Sequence, residues 1–158
     1  DLPTILTSQY LAALAMLQET IEKCPPSLWD APDDRNPFWR VAYHALYFTH
    51  LYVADAEERF IPWPRHREGY EEFDGAPGDA RYDKEAILEY LAFCQRHIPE
   101  RLPQLDFWAR EGFEERTLTT LERQINSIRH LMLHVGELAE RLGSRTGAEI
   151  EWLAWRHE

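Results

Sequence analysis

Asn126-Ser-Ile-Arg-His-Leu-Met-Leu-His-Val-Gly-Glu-Leu-Ala-Glu-Arg-Leu142 is the stretch whose reading decides the fold. Ile125 just before it, then Ile128, Leu131, Met132, Val135, Leu138, Ala139 and Leu142, recur at three- and four-residue steps, the repeat of an amphipathic helix. His130 and His134 stand four apart, one turn above the other, on a face that also carries apolar side chains. Both imidazoles are therefore expected to point inward, where two of them one turn apart can bite one metal ion.

Three more helical patterns lie upstream of this one. The first spans about Thr7 to Lys23, with Tyr10, Leu11, Leu14, Leu17 and Ile21 as its stripe, Thr7 or Ser8 as cap and Pro25-Pro26 as terminator. The second opens at Asn36-Pro37, Asn as cap and Pro in the first turn, and is read through to Phe60 before Ile61-Pro-Trp-Pro64 stops it. A segment rich in Gly, Pro, Asp and Glu then runs to Arg81, too long for a simple turn and expected to be a functional or crossover loop. Asp83 caps a third helix carrying Ala86, Ile87, Tyr90, Leu91, Phe93, Cys94 and Ile98, which stops at Pro99 or Pro103. Gln104 to Arg116 connects to the fourth helix, which a Thr caps within Thr117-Leu-Thr-Thr120 and Gly143 ends. Glu149 to Trp155 reads as a short final helix laying Ile150, Trp152 and Leu153 on the rest.

No β pattern, internal repeat or low-complexity tract interrupts this. The expectation is one all-α domain over residues 1–158, a four-helix bundle with a long connection between helices two and three and a short C-terminal helix. That connection allows the two helices it joins to run parallel or antiparallel. The formal net charge is −11 and no basic cluster is longer than Pro64-Arg-His-Arg67, so nucleic acid and anionic membranes are poor partners. No apolar run reaches a membrane span, and the first residues lack a basic-then-apolar signal pattern, so a cytoplasmic location is expected. Cys24 and Cys94 show no CxxC spacing and read as free thiols, with a single disulfide as the alternative. Aromatic residues make up 13% of the chain, a high share of large side chains to bury, and some are candidates to line a cleft instead.

A catalytic site of the zinc type uses about three protein ligands and keeps one position open. The third ligand is expected from another helix, and His44 stands among Trp39, Val41, Ala42, Ala45 and Phe48. His50 is six residues on and roughly 120° round the helix, so it and His44 do not face one centre. His44 is preferred because its neighbours along the face, Val41, Phe48 and Leu51, are the more apolar.

The stretches Asn36-Pro-Phe-Trp-Arg-Val-Ala-Tyr-His44 and His130-Leu-Met-Leu-His-Val-Gly-Glu137 resemble the DinB-like (YfiT-like) metalloenzymes. The resemblance covers most of the chain in helix order and loop placement. It implies a bundle with one ligand His from helix two and a His-x-x-x-His from helix four, closely followed by Gly-Gln or Gly-Glu. Metal-ligand roles for His44, His130 and His134 follow from it, and Gly136-Glu137 stands where that pair is expected. Many members carry an extra His beside the last ligand; here the neighbour is Val135. Some members are thiol transferases or isomerases using low-molecular-weight thiols, and the bundles often pair through helices, which implies a homodimer.

Other chemistries fit less well. Di-iron bundles need Glu-x-x-His, but Ser127 and Leu131 stand three before the two histidines. A zincin needs His-Glu-x-x-His, and Leu131 occupies the Glu position. No phosphate-binding Gly-rich loop or Gly-x-Ser-x-Gly is present. Glu137 is either an acceptor behind His134 or a surface charge. Tyr43 and Tyr47 bracket His44 and are either packing or a hydroxyl near the centre, while His50, His66, His97 and His157 are read as ordinary surface or interface residues. The function expected is a metal-dependent enzyme, with Zn2+ or Ni2+ first and Fe2+ or Mn2+ behind. It would act on a small molecule by hydrolysis, isomerisation or thiol transfer. The alternative is a non-catalytic metal- or ligand-binding, stress-associated dimer, joined near Trp152 and Trp155.

Overall fold

The structure, a computed structural model, describes residues 1–74, 78–110, 112–114 and 117–157. Parts of both long connections, Gly75 to Pro77 and then Glu111, Glu115 and Arg116, lie outside the described residues. Among the described residues there are five α-helices: α1 (Leu2–Lys23), α2 (Pro26–Trp29), α3 (Phe38–Leu51), α4 (Lys84–Arg101) and α5 (Thr120–Thr146). No strand forms among the described residues, and none of the helices there is long and apolar enough to cross a membrane.

The four long helices close a ring in which α1 and α3 each pack on α4 and α5. Their directions can be read from side-chain partners. Tyr10 of α1 reaches Gln124 near the start of α5, and Lys23 reaches Glu149 beyond its end, so these two run parallel. His50 near the end of α3 meets Tyr90 and His97 of α4, while Tyr43 meets Tyr82 and Tyr90, again a parallel pair. Tyr52 meets Gln124, and Asn36 meets Arg141, so α3 and α5 are antiparallel. The connection between α3 and α4 is therefore a crossover that returns along the length of the bundle, which accounts for its length.

The caps follow local chemistry. Asp83 Oδ1 accepts from Ala86 N at 2.8 Å at the start of α4. Thr119 and Glu122 form a reciprocal capping box on α5. Two starts differ from expectation. The first helix begins at Leu2, capped by Asp1, rather than near Thr7, since Pro3 is tolerated in a first turn. Pro37, not Asn36, caps α3, and the Asn36 carbonyl accepts from Arg141 instead.

Three ends differ as well. The second long helix stops at Leu51, not Phe60. Beyond it Val53 and Ala56 turn into the core, and Glu57 N bonds Gly112 O at 2.6 Å, so docking against Gly112 overrides a sequence able to stay helical. Helix α5 passes through Gly143 and ends at Gly147, whose φ of 74° is the left-handed cap. The expected final helix is absent: residues after Gly147 form an extended strap antiparallel to α1. Lys23 Nζ, Glu19 Oε2, Gln9 Nε2 and Ser8 O bond it in turn. Ile150 and Leu153 do pack on the core, whereas Trp152 is 73% exposed.

Most of the aromatic content is packing. Trp39, Tyr43, Trp63, Tyr70, Tyr82 and Tyr90 form one buried cluster under the crossover, with Trp63 stacked on Tyr90 at 4.6 Å. Cys24 and Cys94 are buried free thiols, their pKa values pushed up by burial, to about 11 for Cys24.

Candidate metal centre

Helix α5 turns its inner face at Gln124, Ser127, Leu131, His134, Val135, Leu138 and Leu142, one position off the expected stripe at its start. Ile125 is left 49% exposed, and Gln124 is buried instead. Gln124 is soluble inside the protein because both ends of its amide are used, Tyr10 Oη donating to Oε1 at 2.8 Å and Nε2 donating to Tyr52 O at 2.7 Å. His134 is buried and His130 half-buried on the flank toward α3.

From α3, His44 comes to meet them. His130 Nε2 lies 3.1 Å from His44 Nε2 and 3.1 Å from His134 Nε2. One ligand atom from each residue falls within 4.8 Å of the others. The rings are tilted, 56° between His44 and His130 and 86° between His130 and His134, so three ring tips converge while the rings fan apart.

The partners at the far nitrogens decide the tautomers. His44 Nδ1 lies 2.5 Å from the Glu71 carbonyl oxygen, which can only accept, so Nδ1 carries the proton. His134 Nδ1 lies 3.0 Å from Glu137 Oε2, again an acceptor. In the neutral rings both Nε2 atoms are thus bare lone pairs. His130 Nε2 can offer one proton to one of them, which leaves the remaining approach a clash of lone pairs. A cation at the convergence point satisfies all three at once. About 2.0–2.1 Å from metal to nitrogen in a tetrahedral site gives nitrogen separations of about 3.3–3.4 Å, close to the two 3.1 Å separations that His130 makes. Burial pushes the pKa of His44 and of His130 down to about 4, so both are in the neutral, ligating form at neutral pH.

The surroundings hold this arrangement. Phe73, from the crossover, stacks on His44 at 4.1 Å, and Phe48 packs its ring against both His44 and His130. Glu137 is the acceptor behind His134, and its other oxygen pairs with Arg141 at 3.2 Å. Arg141 in turn bonds the nearly buried Asp34, which Arg145 also pairs. A charge-linked row thus ties the connector before α3 to the ligand face of α5.

The other candidates fall elsewhere. Tyr43 is fully buried and its hydroxyl is taken by His66 Nδ1, so it packs under the crossover rather than at the centre. Tyr47 packs on Phe48, Phe60 and His66. His50 and His66 are not surface residues: His50 is buried between α3 and α4, bonded to Tyr90, and His66 is the partner of Tyr43. The part of Glu71 and Phe73 had no legible signal, since both belong to a connection without periodicity.

A family model described as the DinB superfamily matches residues 9–138. Comparison with curated proteins and with solved structures gives no match.

Proposed function

The chain belongs to the DinB superfamily, a metal-binding superfamily, and from that premise we propose that it is a metal-dependent enzyme whose divalent ion is held by the Nε2 atoms of His44, His130 and His134. The observation that carries the reading is the approach of three Nε2 atoms to one point, with acceptors at the Nδ1 atoms of His44 and His134 that leave Nε2 as the lone-pair nitrogen of the neutral ring. Imidazole donors suit Zn2+ and Ni2+ first, with Fe2+ and Mn2+ behind. Such an ion supplies Lewis acidity with which a water or a low-molecular-weight thiol is activated toward a small molecule, in hydrolysis, isomerisation or thiol transfer.

The chain's own part is positioning. Glu71 O and Glu137 Oε2 hold two rings in the ligating tautomer and orientation. Phe48 and Phe73 keep the surroundings apolar, which strengthens any charge interaction made there. With three protein ligands, a further coordination position is left for the substrate.

Elemental analysis of protein purified without a metal-affinity tag is expected to find close to one equivalent of divalent metal, and His130→Ala to abolish it. Full occupancy in that variant would refute the site. A panel of small thiols and electrophiles, run on loaded and on chelated protein, then tests the reaction. A metal-dependent rate supports the enzyme. Metal without a rate across the panel favours a second reading, a non-catalytic metal-binding dimer, which the exposure of Trp152 (73%) and Trp155 (63%) favours.

A further inference from the structure

His50 lies on the side of α3 away from the three-histidine centre, at the wall of a separate cleft of about 480 Å3 between α3, α4 and residues 54–64. It is 97% buried, at 3% exposure. Its Nδ1 is 2.9 Å from Tyr90 Oη. Tyr90 is fully buried, and His50 is the only hydrogen-bond partner of its hydroxyl among the described residues. A buried O–H left without an acceptor is costly, so Tyr90 donates and Nδ1 accepts. That assigns the proton of the neutral ring to Nε2. Nε2–H finds no acceptor among the described residues and belongs to a side chain that lines the cleft.

The rest of the lining says what such a donor would meet. Phe60 and Phe93 stand edge-on to His50 at 4.7 and 4.9 Å, and His97 at 5.1 Å. Ile61, Pro62 and Pro64 extend the apolar wall. At the mouth Arg59 and Arg101 share one carboxylate, Asp55, at 3.0 and 3.9 Å. Both guanidiniums line the cleft, in a chain whose net charge is −11, with Glu58 beside Arg59 and Glu100 beside His97 as the other charges near its rim.

We infer that this cleft is a second small-molecule site, taking an aromatic or short aliphatic carboxylate. One carboxylate oxygen accepts from His50 Nε2–H, the charge faces Arg101, and the apolar body lies against Phe60 and Phe93. The inference stands independently of the metal reading, because α3 presents His44 and His50 to different neighbours.

The test is a titration of the full chain, metal-loaded and chelated, followed by NMR of the histidine ring nitrogens. The probes are phenylacetate, its neutral amide phenylacetamide, and the cation benzylamine. Phenylacetate is expected to saturate at millimolar concentration or below, moving His50 and His97 signals and leaving those of His44, His130 and His134 in place. Phenylacetamide should bind about tenfold more weakly, for loss of the charge facing Arg101, and benzylamine not at all. Arg101→Gln should weaken phenylacetate about tenfold without changing phenylacetamide, and His50→Gln should weaken both. Arg101 stands at a helix end, so its variant keeps the test open if the buried substitution unfolds the chain. No saturable movement of His50, equal binding of benzylamine, movement of the three-histidine signals instead, or an unchanged affinity in Arg101→Gln would overturn the site.

Discussion

Replacing Glu137 by Ala removes the acceptor behind His134 without touching a ligand atom, and the size of the effect can be worked from the geometry. Glu137 Oε2 is 3.0 Å from His134 Nδ1, on a side chain 41% exposed against 8% for the histidine. A hydrogen bond to a charged acceptor is worth about 1.5–3 kcal/mol, and the exposed carboxylate places this one at the lower end of that range. About 1.4 kcal/mol is tenfold in a binding constant, so metal affinity should fall about tenfold, the low side of the 10–100-fold usual for such partners. Arg141 keeps Asp34 and Asn36 O in the variant, so the ion-paired row survives and folding should be little changed. Glu137→Gln retains an oxygen acceptor and should lose only a few-fold. Competition of purified variants against a chelator of known affinity, with Zn2+, reads both numbers, and melting without metal reads the fold. An Ala variant that binds metal as tightly as the parent would refute the claim that this carboxylate sets the ring.

Two further outcomes follow from the structure. Gly112 has φ of +93° and a Cβ there would lie 2.4 Å from the Asp55 carbonyl oxygen, so Gly112→Ala should cost about 2–4 kcal/mol, read as a lower urea midpoint; an unchanged midpoint would contradict the docking that stops α3. Acid should destabilise the chelated protein, because burial lowers the pKa of His50 to about 3 and of His44 and His130 to about 4. The unfolded chain takes up protons from about pH 6.5 downward while the folded one refuses them. Stability from these groups is therefore whole above 6.5, falls as the pH drops, and levels off below about pH 3, at a cost of a few kcal/mol for the buried His50. Equal urea midpoints at pH 7 and pH 4.5 would count against it.

The helices were legible where one strong local signal acted alone. Asp83 and Thr119 cap as their chemistry requires, and Pro25-Pro26 ends α1. The His-x-x-x-His spacing puts two rings on one flank by helix geometry alone, and that part of the site could be read directly. Errors came where a distant contact decided. Val53 and Ala56 have nothing unhelical about them, yet Gly112 packed against Asp55 and Ala56 ends the helix before them. Gln124 looks like a surface residue until Tyr10 and Tyr52 are known to satisfy it, and Ile125 then has to face outward. His50 was read as an ordinary surface or interface residue, and which of the two it is depended on Tyr90, forty residues away.

Periodicity, capping chemistry and residue spacing were enough to specify helices and to put His130 and His134 on one flank, since these depend on interactions within a few residues; His44 was joined to them by its apolar neighbours and by the family resemblance. Which faces meet, which nitrogen of His44 and of His134 is left bare, and that the crossover lays Glu71 and Phe73 on His44, depended on packing. Those outcomes come from hydrogen-bond satisfaction and ring contact between segments far apart in the chain, and no local pattern encodes them.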